Sequence, residues 1–179
     1  PMAAVAGAVA EEVLAALIGP GIVRAYANNG GDIALWLSPG ERLTCALAVS
    51  GGVDRVTVAS TDPVRGIATS GWRGRSFSRG IADAVTVLAL RAPEADAAAS
   101  IIANAVDADH PAVTREPACN LDPDSDLRDL PVTVGVGELP PEVVSAALDR
   151  GERCAEGLLA RGLIYGACLR LKGQVRLVG

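Results

Sequence analysis

The spacing of apolar positions changes several times along the chain, and each change marks an element. From Met2 to Ile18 small and apolar residues run with few interruptions, Leu14 and Leu17 continue the stripe, and Gly19-Pro20-Gly21 ends it, which predicts a helix. Ile22 to Ala27 and Asp32 to Leu37 read as two strands around Asn28-Asn29-Gly30-Gly31, where paired glycines permit positive φ. Arg42 to Val49 and Val53 to Ala59 read as two more around Gly51-Gly52, so the middle of the chain is expected to form an antiparallel meander. Alternating β-branched residues from Ala84 to Leu90 predict a buried strand, and the Ala-rich segment after Pro93 predicts a helix, because proline suits the first turn. Val106 to Leu130 reads as a solvated acidic loop. Pro131 to Gly137 is a further strand, Pro140 to Arg161 a helix opened by two prolines, and Leu163 to Leu171 with Gln174 to Val178 a closing hairpin around Lys172-Gly173. Antiparallel strands with a few long helices give an α+β fold. No long linker or tandem repeat divides residues 1–179, so one domain is expected.

Composition narrows this. Half of the residues are apolar but only 3% are aromatic, so the core must be made of Ala, Val, Leu and Ile and must pack by close backbone approach. The net charge of −5 disfavours a nucleic-acid partner, and no apolar run reaches the ~18 residues of a membrane span. The four cysteines show neither CxxC spacing nor the density of a disulfide framework, which points to free thiols and a cytoplasmic setting. The chain starts Pro1-Met2, so a segment of a longer precursor is expected ahead of it. An Ala-rich surface with long hairpins makes a homodimer the expected assembly.

The candidate chemistry gathers from Gly66 to Asn104. On the second helix Asp96 and Ser100 stand four apart, a carboxylate and a hydroxyl on one face, which suits a hard cation such as Mg²⁺ and equally suits plain helix chemistry. Gly7 and Ala10 on the first helix offer no bulk to keep a phosphate or metal away, or simply allow tight packing. Asp32, after the double glycine, either bonds the turn or faces a site. Thr69-Ser70-Gly71 can donate to an anion, and Arg73, Arg75 and Arg79 cluster in WRGRSFSRG as a potential anion clamp or a solvated loop. The acidic run DPDSDLRD is no EF-hand, since Leu127 and Thr133 stand where that loop needs Gly and Glu. His110, the single histidine, and Asp83 are the candidate proton-transfer groups, although a loop hydrogen bond and a strand-start salt bridge account for them as well.

Four segments, AGAVA, NNGGDI, GIATSG and the pair ADAVTVLA with ADAAAS, together resemble the ApbE superfamily, best known for FAD:protein FMN transferases. The chain looks nearer still to an uncharacterised bacterial and archaeal branch that shares GxADAVxV and LDPDSDL-like stretches. This resemblance implies an ApbE-like, T-fold-related antiparallel sheet. It implies that the Ala10 carbonyl, the Asp96 carboxylate and the Ser100 hydroxyl hold Mg²⁺ against the pyrophosphate of FAD or a related nucleotide. Gly30, Gly31 and Asp32 would lie by that nucleotide, with Thr69, Ser70 and Gly71 beside it, and Gly7, Arg75, Ser76 and Ser78 complete the expected cofactor contacts. A protein Thr or Ser would be the acceptor of FMN. The chain departs from the transferases in lacking a His-x-Ile-Asp-Pro-like segment after TSG and in carrying Glu11 where a lysine is usual, which places transfer chemistry in question. The expectation is therefore a cation-dependent flavin-nucleotide binder, with a non-catalytic accessory subunit or an enzyme of a small anionic metabolite as alternatives.

Overall fold

The computed structural model describes residues 4–49 and 52–179. Met2 and the Gly51 of the expected second turn lie outside them. A first helix α1 (Val5–Leu17) leads into strands β1 (Arg24–Asn29) and β2 (Asp32–Leu37), a hairpin with Asn29 opposite Asp32 and only Gly30 and Gly31 between. Strands β3 (Arg42–Val49) and β4 (Gly52–Ala59) pair only with each other, so the expected meander is instead a separate two-stranded hairpin. Strand β5 (Gly66–Ser70) returns to the main sheet, followed by β6 (Ala84–Ala89) and helix α2 (Ala92–Ala105). Then come β7 (Val113–Pro117), a one-turn α3 (Ala118–Leu121) and β8 (Pro131–Val136), which pairs with β7. Helix α4 (Pro141–Ala160) and the hairpin β9 (Gly166–Leu171) with β10 (Gln174–Val178) close the chain. The main sheet is antiparallel throughout, in the order β1-β2-β5-β6-β9-β10.

The sheet has two unlike faces. Against one lie the helices: Val85, Val87, Leu169 and Leu171 of the sheet meet Ala95, Ala99 and Ile102 of α2 and Val144 and Leu148 of α4, all essentially without solvent contact. On the other face the β3–β4 hairpin covers β2 and β5, where Val58 and half-buried Leu43 and Val56 close over Ile33, Leu35 and Ile67. With so few rings available, the first contact works by removing side chains. Six of the fourteen α2 residues are buried and all but Ile102 of these are alanines, which lets the helix backbone lie close to the sheet.

Two parts of the chain fold otherwise than the pattern predicts. The stretch read as one acidic loop contains β7, whose Val-Thr-Arg-Glu-Pro sequence alternates half-buried with exposed positions, and α3. Its Asp122–Asp129 portion does turn through side chains, with Asp122 Oδ1 accepting from the Asp124 N–H at 3.0 Å. Thr69 and Ser70, read with Gly71 as an anion-donating segment, end a strand that pairs with β6 along its length and with β2 at Gly66 and Ile67.

Candidate functional site

The first turn of α1 has no side-chain cap of its own, and a helix start leaves N–H groups without intrahelical acceptors. A carboxylate from another helix supplies the acceptor. Asp96 Oδ2 takes the Gly7 N–H at 2.9 Å, and the Ala6 N–H points to the same side chain. The approach is close because position 7 has no side chain: a Cβ there would stand 2.5 Å from the Ala92 carbonyl oxygen. The space that Gly7 leaves is thus filled by the start of α2, not by a ligand, though its N–H belongs to the site. Burial raises the Asp96 pKa, opposed by the hydrogen bonds from Gly7 and Ala6.

The β1–β2 turn is fastened to the same helix end. Asn29 Nδ2 donates to the Ala6 carbonyl at 3.2 Å, and the Gly31 N–H is held by Asn28 Oδ1 at 2.8 Å. Gly30 sits at φ +69 under the Arg75 guanidinium, and the positive φ is what favours glycine there. Asp32 follows, half-buried, accepting the Thr69 N–H. Its pKa is pushed up to about 6, first by burial and then by the negative charge of Asp96, with Thr69 and Arg75 pulling the other way. Two carboxylates from β2 and α2, the α1 N-terminus and one arginine therefore meet at one place. Ser100 lies a turn further along α2, half-buried.

The remaining candidates fall elsewhere. Ala10 is deep in α1, packed with Leu14, Ala27, Ala34 and Ala92; helical carbonyls point toward the C-terminus, away from the N–H groups that hold Asp96. The structure thus places Ala10 inside α1, one turn on from the Gly7 amide that holds Asp96. Glu11, found where a lysine was expected, pairs with Arg91 at the start of α2, Nε to Oε1 at 2.9 Å. Ser70 lies in β5 opposite Val85, and Gly71 is closed in by the Ala82 and Asp83 carbonyls, 2.8 and 2.7 Å from where its Cβ would be, so it is not an open anion cradle. Ser76 is exposed on its loop. Ser78 is buried at the other end of α2, its hydroxyl 3.3 Å from Asn104 Oδ1 and its carbonyl accepting the Thr133 N–H, a structural position.

The catalytic pair also separates. Asp83 receives Trp72 Nε1 at 3.3 Å, Arg73 Nε at 3.1 Å and the Lys172 N–H at 2.6 Å, which ties the TSG loop to the closing hairpin. His110 Nδ1 accepts the Ala112 N–H at 3.1 Å and shapes the turn before β7. Each thus makes hydrogen bonds with its own set of partners, and none of these is shared. The arginine clamp disperses likewise: Arg73 goes to Asp83, Arg75 to the glycine turn, and Arg79 lines a cleft with Asn104, Asp107 and Arg115. Asn29 is the functional-looking residue that the sequence reading passed over as a turn, and its only signal was its place beside Gly30-Gly31.

Among the described residues no group of three or more His, Cys, Asp or Glu could hold a metal ion. Mg²⁺ needs less, since it keeps waters and takes one or two carboxylates together with ligand oxygens. Asp32 and Asp96 fit that demand, with the Ser100 hydroxyl a turn along the Asp96 face. Among the described residues no helix is long and apolar enough to cross a membrane.

A family model described as AbpE bacteria matches residues 1–177. The chain belongs to this family. It is also similar to archaeal UPF0280 proteins: 35% identical over 153 residues to one from Methanopyrus kandleri, covering 81% of this chain and 62% of that protein. Over 108 residues it is 41% identical to one from Methanothermobacter thermautotrophicus, covering 58% of this chain and 41% of the relative. The chain thus spans between 41% and 62% of the length of these curated relatives. These matches correct the resemblance drawn from the four segments. They lead to the AbpE bacteria family and to UPF0280 proteins, none of them described as an FAD:protein FMN transferase, so the assignment to the ApbE superfamily falls. What this family member binds has to be argued from its own residues.

Proposed function

We propose that the protein binds a phosphate-bearing nucleotide together with a divalent cation such as Mg²⁺ at the junction of the α1 N-terminus, the glycine turn and α2. The observation that carries this reading is the meeting of Asp32 and Asp96 beside Arg75. Two half-buried carboxylates that repel each other are relieved by a shared cation, and a diphosphate supplies the further oxygens that Mg²⁺ prefers. Arg75, which already leans over Gly30, provides a fork suited to phosphate. A flavin dinucleotide is the first ligand to test. The binding reading is favoured over catalysis because Asp83 and His110 are both engaged in structural hydrogen bonds. All four cysteines are free thiols, which fits the reducing cytoplasm, where we place the protein.

Titration calorimetry with FAD and with ADP, in Mg²⁺ and in EDTA, tests this. Binding should require the cation and weaken at least tenfold in Asp32→Asn, a loss of about 1.4 kcal/mol or more. Equal affinity in EDTA, or an unchanged affinity in both Asp32→Asn and Asp96→Asn, refutes it.

A further inference from the structure

At the far end of α2 the loop between β5 and β6 is clamped to the helix and to β8. The Arg79 N–H donates to Asn104 Oδ1 at 2.9 Å, Thr133 Oγ1 donates to the Arg79 carbonyl at 3.3 Å, and the Thr133 N–H donates to the Ser78 carbonyl at 2.8 Å. Gly80 makes the approach possible, since a Cβ there would stand 2.0 Å from the Ala103 carbonyl oxygen. The backbone that carries Arg79 is therefore fixed at both of its polar groups. Its exposed guanidinium, in contrast, takes no hydrogen bond or ion pair among the described residues. Beside it opens a cleft of about 350 Å³, lined by Arg79, Asn104, Asp107, Arg115 and Pro131.

In this cleft donors are in excess. Because Asn104 Oδ1 accepts from the Arg79 N–H and from Ser78 Oγ, the orientation of the amide is settled, and its Nδ2 is left without an acceptor among the described residues. The one carboxylate of the lining, Asp107, is already matched, since its Oδ1 accepts from Arg115 Nη2. The unmatched charge is that of Arg79. A helix C-terminus ordinarily disfavours an anion through its free carbonyls. Here that repulsion is blunted: the Val106 carbonyl takes the Ile81 N–H at 2.8 Å, the Asp107 carbonyl takes an Arg150 N–H, and the Ala103 carbonyl lies under Gly80. Two guanidinium forks and an amide NH₂ lining one cleft suit the oxygens of a phosphate, and a lining whose single apolar member is Pro131 offers no seat to a hydrocarbon body. We infer that the cleft binds the phosphate group of a small, polar phosphomonoester, with Arg79 and Asn104 as the free donors and Arg115 shared between the ligand and Asp107. Asn104 stands about two turns along α2 from Asp96, roughly 12 Å, so this site is separate from the carboxylate pair and calls for no cation.

The probe is glycerol 3-phosphate, titrated in EDTA at constant ionic strength and followed through the arginine Nε–H and asparagine Nδ2 signals in proton–nitrogen correlation spectra. The inference expects saturable shifts of the Arg79 and Asn104 side-chain signals, which glycerol, or chloride at the same ionic strength, does not produce. Arg79→Gln should weaken binding about tenfold. The thermal melt of this variant should match that of the parent, because the exposed side chain has no partner in the fold to lose. Dodecyl phosphate should bind no more tightly than glycerol 3-phosphate. Shifts that grow without saturating, an affinity unchanged in Arg79→Gln, a preference for the dodecyl ester, or binding that appears only when Mg²⁺ is added, as at the carboxylate pair, would each overturn the inference.

Discussion

The two faces of the main sheet solve opposite problems. The helix face is closed tightly by alanines and short branched side chains, with polar groups gathered at its ends, one of them where α1, α2 and the glycine turn come together. The other face is half covered by a hairpin and half open, and it leaves Leu177 and Tyr165 exposed. Close packing thus holds the carboxylate and amide groups of one side in fixed positions, whereas incomplete cover on the other leaves apolar side chains in water.

If that contrast is right, truncations on the two faces should differ most. Ile102→Ala removes a fully buried side chain between α2 and the sheet and is expected to cost about 2–5 kcal/mol in urea unfolding. A cost below about 1 kcal/mol would show that the helix face is looser than its alanine packing suggests.

A smaller effect should mark the carboxylate pair. The folded pKa of Asp32, about 6 against an ordinary 3.8, means that the native state holds this proton more tightly than the unfolded chain. Its contribution to stability is fully present below about pH 3.8 and is lost as pH rises through about 6. In EDTA, Asp32→Asn should therefore flatten this decline and raise stability at pH 7.5 by about 1 kcal/mol, the half-exposed position reducing the full linkage value. Added Mg²⁺ should restore the parent at pH 7.5 and leave the variant little changed. A parent whose stability does not fall between pH 4 and 7, beyond what the variant shows, would mean that burial and the neighbouring Asp96 do not hold the Asp32 carboxyl above its ordinary value.

Least of all should come from the open half of the other face. Leu177→Ser is expected within about 0.5 kcal/mol of the parent by thermal melting, since an exposed position buries little on folding. A larger loss would mean that this face is covered in solution.

Strong periodicity and turn residues carried most of the fold. The strand from Ala84, the helix after Pro93, the Asn-Asn-Gly-Gly hairpin and the closing hairpin at Lys172-Gly173 each have a local reason to form, and each is found within a few residues of its expected bounds. Strand β5 has no such reason: Gly66-Ile-Ala-Thr-Ser lacks the branched alternation of a strand and becomes one because β6 pairs with it along its length and β2 with its first two residues. Strand β7 hid behind polar residues for the same cause, since only β8 fixes it. At the site, Gly30, Gly31 and Asp32 announced a turn and Asp96 a helix start, but that the two acids come near each other depends on how α2 packs against β2 and β5. The close crossing of α1 over α2 needs Gly7 at its tightest point, and a missing side chain there reads equally well as room for a ligand. The three arginines of one short loop go three separate ways because their partners come from β6, β1–β2 and the far end of α2.

Because Asp96 grips α1 from a neighbouring helix, the proposed site and the grip share one carboxylate. A cation bound as proposed would draw charge from the acceptor of the Ala6 and Gly7 amides, and the expected sign of loading is fraying of the first described helical turn, read as faster deuterium uptake there.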